Sequence, residues 1–68
     1  MTIGEQIRNF RESRNLTQEE LGKLAGYCEM TIWKYENDRF ITPSLYIIKD
    51  ICDLMGITVD EMLRRCEK

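Results

Sequence analysis

Ile3, Ile7 and Phe10 stand at i, i+4 and i+7, which predicts a helix from about Ile3 to Arg14 that Asn15 closes into a short turn. Leu21 and Ala25 give the inner face of a second helix, about Gln18 to Ala25, and Gly26 suits the left-handed turn that would end it. A third helix follows at about Glu29. Its apolar Ile32 and Tyr35 are three apart and point to the core, leaving Glu29, Met30, Trp33 and Lys34 on other faces. Leu45, Ile48, Ile51, Cys52 and Met55 form the buried stripe of a fourth helix, with Pro43 at or just before its first turn, Thr42 or Ser44 as its cap and Gly56 at its end. Thr58 opens a fifth through about Arg65, with Val59, Met62 and Leu63 apolar and Glu67-Lys68 as a fraying tail.

Three Thr-x-x-Glu boxes support these starts: Thr2 with Glu5, Thr17 with Glu20, and Thr58 with Glu61. In each, a hydroxyl and a carboxylate take amide hydrogens that the first helical turn leaves without partners. Gly22 lies inside the second helix, where glycine costs about 1 kcal/mol relative to alanine, so it asks for a close helix approach. Ile32 is the residue expected against it. Two short helices joined at Gly26 read as a helix-turn-helix, whose second helix is sized for the DNA major groove.

Composition narrows the picture without changing it. Sixty-eight residues suit one small all-α domain spanning 1–68, because so short a chain buries only roughly 60% of its unfolded surface. No apolar run approaches the ~18 residues of a membrane span, and the N-terminus lacks signal-peptide regions, so a cytoplasmic address is expected. Cys28, Cys52 and Cys66 lie far apart and histidine is absent, which disfavours a disulfide framework or a zinc site. The net charge of −2 counts against general nucleic-acid binding, although a local basic face can persist because charges are screened within roughly 8 Å.

The stretches Leu16-Thr17-Gln18-Glu19-Glu20-Leu21, Thr31-Ile32-x-Lys34-Tyr35-Glu36-Asn37, Pro43-Ser44-Leu45 and Met55 to Leu63 resemble the lambda-repressor/Cro family of helix-turn-helix domains, also called the xenobiotic-response-element type. The resemblance covers nearly the whole chain and implies a compact five-helix domain that binds double-stranded DNA without a cofactor. By that likeness Glu29, Met30, Thr31, Trp33 and Lys34 are base-facing, while Gln18, Asn37 and Arg39 face phosphates. Lys34 can donate to guanine, Glu29 can accept from cytosine, and Met30 or Trp33 can lie against a thymine methyl. Arg11 and Glu36 match a pair that ties the first helix to the end of the third. Asp38 departs from the family pattern, standing where glycine usually ends the helix, and Phe40 and Ile41 replace basic or polar loop residues.

The expected function is a sequence-specific transcriptional regulator, a repressor, acting as a homodimer on a palindromic operator. Tyr46, Ile47, Val59 and Met62 are the candidate dimer surface. A rival reading is a protein-binding, antirepressor-like module using Met30, Trp33, Phe40 and Ile41 as an apolar patch. Catalysis is not expected, since the chain has no histidine, nucleophile motif, phosphate loop or metal-ligand cluster.

Overall fold

The computed structural model describes residues 1–40 and 44–66. Expectations for Ile41, Thr42, Pro43 and the Glu67-Lys68 tail fall outside these. Among the described residues there are five helices and no strand: α1 (Ile3–Ser13), α2 (Gln18–Ala25), α3 (Glu29–Glu36), α4 (Leu45–Met55) and α5 (Val59–Cys66).

Local chemistry sets the boundaries. Thr2 Oγ1 accepts from Glu5 N at 3.1 Å while Glu5 Oε1 accepts from Thr2 N at 2.8 Å. Thr17 and Glu20 repeat the reciprocal cap on α2 at the same two distances. Such caps contribute about 1 kcal/mol each. The third box forms one of its bonds: Thr58 Oγ1 takes Glu61 N–H at 3.0 Å, whereas the Glu61 carboxylate accepts from Arg65 at 3.4 Å. α1 ends at Ser13, one residue short of expectation. Asn15 adopts a left-handed φ of 55°, and Leu16 N–H donates back to Arg11 O at 3.1 Å, closing the helix over Arg14.

The core consists of Ile7, Leu21, Ile32, Tyr35, Ile48, Ile51, Cys52 and Met62, with Ile3, Phe10, Val59 and others packed around it. Two expectations about it fail. Leu45 is 72% exposed, because the fully buried positions of α4 begin at Ile48 and Leu45 lies on the other side of the helix's first turn from Ile47, which packs on the core. Met62 is fully buried and cannot belong to a dimer surface: its carbonyl accepts from Gln6 Nε2 of α1 at 3.1 Å and its sulfur meets the Cys52 thiol of α4 at 3.6 Å. Val59 and Ile47 are half-buried against the same core, so of the four proposed surface residues Tyr46 is the one that stands free, at 82% exposure.

Both buried glycines mark close backbone contacts. A Cβ on Gly22 would lie 2.6 Å from the carbonyl oxygen of Tyr27, so the steric reason is the turn between α2 and α3 rather than Ile32. Gly4 has no sequence signal beyond its cost in a helix, yet its Cβ would lie 2.7 Å from Tyr35 O and closer still to Glu36 O. α1 therefore crosses the last turn of α3 with backbone against backbone. In an exposed helix Gly→Ala stabilises by up to about 1 kcal/mol. Here Gly4→Ala must separate the two helices and is expected to destabilise by about 2 kcal/mol, lowering Tm by roughly 10 °C in a thermal unfolding experiment.

Candidate nucleic-acid interface

The turn between α2 and α3 is built from backbone bonds. Gly26 takes φ 86°, and the N–H groups of Gly26 and Tyr27 both donate to Gly22 O at 2.8 Å. Tyr27 then anchors the turn to α4 by donating its hydroxyl to Asp50 Oδ2 at 2.5 Å, which raises the phenol's pKa above its usual value. Cys28 is the N-cap of α3 and uses its exposed thiol on Thr31 Oγ1 at 3.3 Å.

The far end of α3 is held by charge. Glu36 has a fully buried side chain, and Arg11, itself largely covered, grips it with Nε to Oε2 at 2.6 Å and Nη2 to Oε1 at 3.2 Å. This hydrogen-bonded pairing raises the Arg11 pKa above its ordinary value. The third nitrogen, Nη1, donates to Leu16 O at 2.8 Å, so one guanidinium joins α1, the α1–α2 loop and α3. Two further groups converge on the same carboxylate, Gln18 Nε2 at 3.2 Å and Arg8 Nε at 3.5 Å. Neither was expected there. The signal available in the sequence was the i, i+3 spacing of Arg8 and Arg11, which puts both on one face of α1.

Asp38 follows with φ 55°, and Arg39 N–H donates to Lys34 O at 2.8 Å in a left-handed helix closure. A glycine would suit the backbone equally, but the carboxylate adds something glycine lacks: it accepts from Thr2 Oγ1 at 2.9 Å and from Gly4 N at 3.0 Å, capping the start of α1. Phe40 stacks on Tyr35 with ring centroids 4.9 Å apart and is half-buried. It is part of the packing rather than of an exposed apolar patch.

Clamped at both ends, α3 turns its outer face to solvent. Met30 is 60% and Trp33 41% exposed, and Glu29 and Lys34 are exposed beside them, while Thr31 is half-buried at the Cys28 contact. Gln18, Glu29, Met30 and Trp33 line an open hollow between the start of α2 and this face. The Arg39 guanidinium sits 5.8 Å over the Trp33 ring. Asn37 is engaged locally, donating to Trp33 O at 2.9 Å and accepting from Arg8 at 3.4 Å.

A family model described as a helix-turn-helix domain matches residues 2–64. The chain belongs to this family. It is 34% identical over 59 residues to YazB, an uncharacterized HTH-type transcriptional regulator of Bacillus subtilis, covering 87% of this chain and 84% of that protein. Over 63 residues it is 32% identical to the immunity repressor protein of Bacillus phage phi105, covering 93% of this chain and 43% of the repressor. It also matches glutamine–fructose-6-phosphate aminotransferase of Methanocaldococcus jannaschii at 33% identity over 94% of this chain, but spans 6% of that enzyme's length. The fold is that of the P22 c2 repressor solved with a synthetic operator, at TM-score 0.80 and 22% identity over 91% of this chain and 92% of that one. This helix-turn-helix domain has a lambda-repressor-like fold. Among the described residues no helix is long and apolar enough to cross a membrane.

The Thr31 hydroxyl, followed by amide groups of the first turn, holds the Cys28 thiol below its usual pKa, whereas burial pushes that of Cys52 up. Titration of the native domain with a disulfide reagent near pH 7.5 is expected to modify Cys28 first and leave Cys52 unreacted until unfolding. Thr31→Val, which removes the hydroxyl, should slow the Cys28 reaction. Equal rates in the two proteins would contradict this reading of the helix start.

Proposed function

We propose that the domain is a sequence-specific DNA-binding transcriptional regulator, a repressor, that places α3 in the major groove and occupies a palindromic operator as a homodimer. The observation that carries the reading is the outer face of α3, left uncovered while its two ends are fixed to α1, α2 and α4. A helix presented in this way can reach base edges without a further cost of ordering its backbone at the moment of binding. Lys34 donates to a base, and Glu29 accepts from one that offers an amino group. Arg39 meets a phosphate, with the Trp33 ring beneath it restricting its rotamers. Gln18 uses one amide hydrogen on Glu36 and keeps the other for a phosphate at the positive end of α2. Asn37 spends one amide hydrogen on Trp33 O and its carbonyl on Arg8, and keeps the other amide hydrogen for a phosphate after α3.

One recognition helix reads too few base pairs for useful selectivity, so two copies on half-sites about one helical turn apart supply the rest. Tyr46 at the start of α4 is the residue on which a second copy can pack. Bound to its operator, the dimer blocks polymerase by occupancy. Similarity to a phage immunity repressor supports the sign of this regulation.

Selection of bound duplexes from a random pool, at low and near-physiological salt, tests the proposal. The expected result is a palindromic motif. A Lys34→Ala, Arg39→Ala protein should bind the selected duplex at least about tenfold more weakly, with the salt dependence of log K shallower by up to about two. Failure to enrich any motif at either salt would reject DNA recognition by this domain.

A further inference from the structure

α1 divides its surface between two tasks. Gly4, Arg8 and Arg11 recur at i, i+4 and i+7 and meet Glu36 at the end of α3, while Gln6, Asn9, Phe10 and Ser13 recur at i, i+3, i+4 and i+7 on the opposite side. That second row lines an open hollow of about 320 Å³, which Met1, Met55 and Ile57 wall with apolar surface. It is of a size that small-molecule sites have. One buried group on it lacks a partner. Gln6 is 3% exposed, and its Nε2 is spent on α5, on Met62 O at 3.1 Å and Cys66 Sγ at 3.4 Å, two residues outside the lining of the hollow. The other end of the amide, Oε1, is shielded from solvent and accepts from no donor among the described residues. Exchanging the two ends gives no relief, because it sets the amide oxygen against the Met62 carbonyl. A shielded carbonyl without a donor destabilises the fold, since its hydration is lost and nothing replaces it.

We infer that this hollow is a binding site for a small, neutral, planar aromatic molecule carrying one N–H or O–H donor, which completes Gln6 Oε1. The ring of Phe10 and the thioethers of Met1 and Met55 supply the contacts that an aromatic ring favours. Neutrality follows from the lining: its one charged side chain among the described residues is Arg65, whose Nε is already 3.4 Å from the Glu61 carboxylate. Because Oε1 is shielded, the donor reaches it by displacing part of the wall. The methionines, unbranched and adaptable, are the side chains that can give way. α1 stands between the hollow and α3, so the molecule and a ligand on the outer face of α3 do not compete for one surface. The site is therefore independent of the DNA-binding reading.

Indole and para-cresol carry the donor on a ring of suitable size, and N-methylindole and the methyl ether of para-cresol lack it. Each is titrated into the isotope-labelled domain, free of DNA, and followed by amide chemical shifts in NMR spectra. Indole and para-cresol are expected to shift the signals of Gln6, Asn9 and Ile57, including the Gln6 side-chain amide, and to leave Glu29 and Lys34 in place. Each should bind about tenfold more tightly than its methylated counterpart, the factor that one hydrogen bond supplies. Gln6→Met, with its helix content checked by circular dichroism, separates bonding from bulk: in it each donor and its methylated counterpart should bind alike. Ser13→Trp, an exposed substitution at the rim of the hollow, should block all of the probes, and with the wild-type comparison it decides the matter if Gln6→Met does not fold. No shift at the hollow with either donor, equal affinity of donor and counterpart in the wild type, or a preference that persists in folded Gln6→Met would overturn the inference.

Discussion

A fully buried carboxylate is expensive to hold in a small domain unless its charge is matched on the spot. Glu36 is such a group, and its position at the last turn of α3 makes its solvation the constraint on which the rest of the arrangement depends. Arg11 meets it with a two-pronged contact from α1, Gln18 reaches it from the first residue of α2, and Arg8 closes the remaining side. Three helices therefore cannot change their mutual angles without uncovering a charge. Gly4 and Asp38 act on the same junction from the backbone side, the one allowing α1 to touch the Glu36 carbonyl and the other fastening the chain after α3 to the start of α1. Since Coulomb gain and desolvation largely cancel in buried pairs, the return from this cluster is in orientation more than in stability.

Orientation is what the outer face of α3 needs. With Ile32 and Tyr35 in the core and Glu36 in its cluster, Met30, Trp33 and Lys34 are left outward. A chain of net charge −2 has little general attraction for a polyanion, and the cations near this face are few. Under the proposed reading, a face with few cations must hold its contacts in register, which a rigid helix provides. The electrostatics of the interior and the chemistry of the surface are thus two parts of one arrangement.

Much of this was legible in the sequence because it is local. Thr2 with Glu5 and Thr17 with Glu20 need a window of four residues to be recognised as caps, and Gly26 needs only its place after Ala25. The Arg11–Glu36 pair was reachable through the family resemblance. Other features depend on where distant segments meet. Periodicity put Leu45 on the apolar stripe of α4, but could not say that the fully buried positions start at Ile48. Val59 and Met62 look alike in sequence, and only the packing of α5 against α1 and α4 separates the buried one from the half-buried one. Gly4 reads as a weak helix residue until α3 is seen to cross it, and Asp38 as a misplaced glycine until its carboxylate is found between Thr2 and Gly4.

The central claim is that the fork geometry of Arg11 on Glu36 orients the recognition helix. Its most direct test is the operator affinity of Arg11→Lys, which keeps the positive charge and loses the planar two-pronged contact, measured on the selected duplex at a temperature where circular dichroism shows the variant fully helical. The account predicts a folded protein whose affinity falls by about tenfold or more, since a small misplacement of several contacts at once costs on the order of 1.4 kcal/mol. A folded Arg11→Lys protein with undiminished affinity would contradict it.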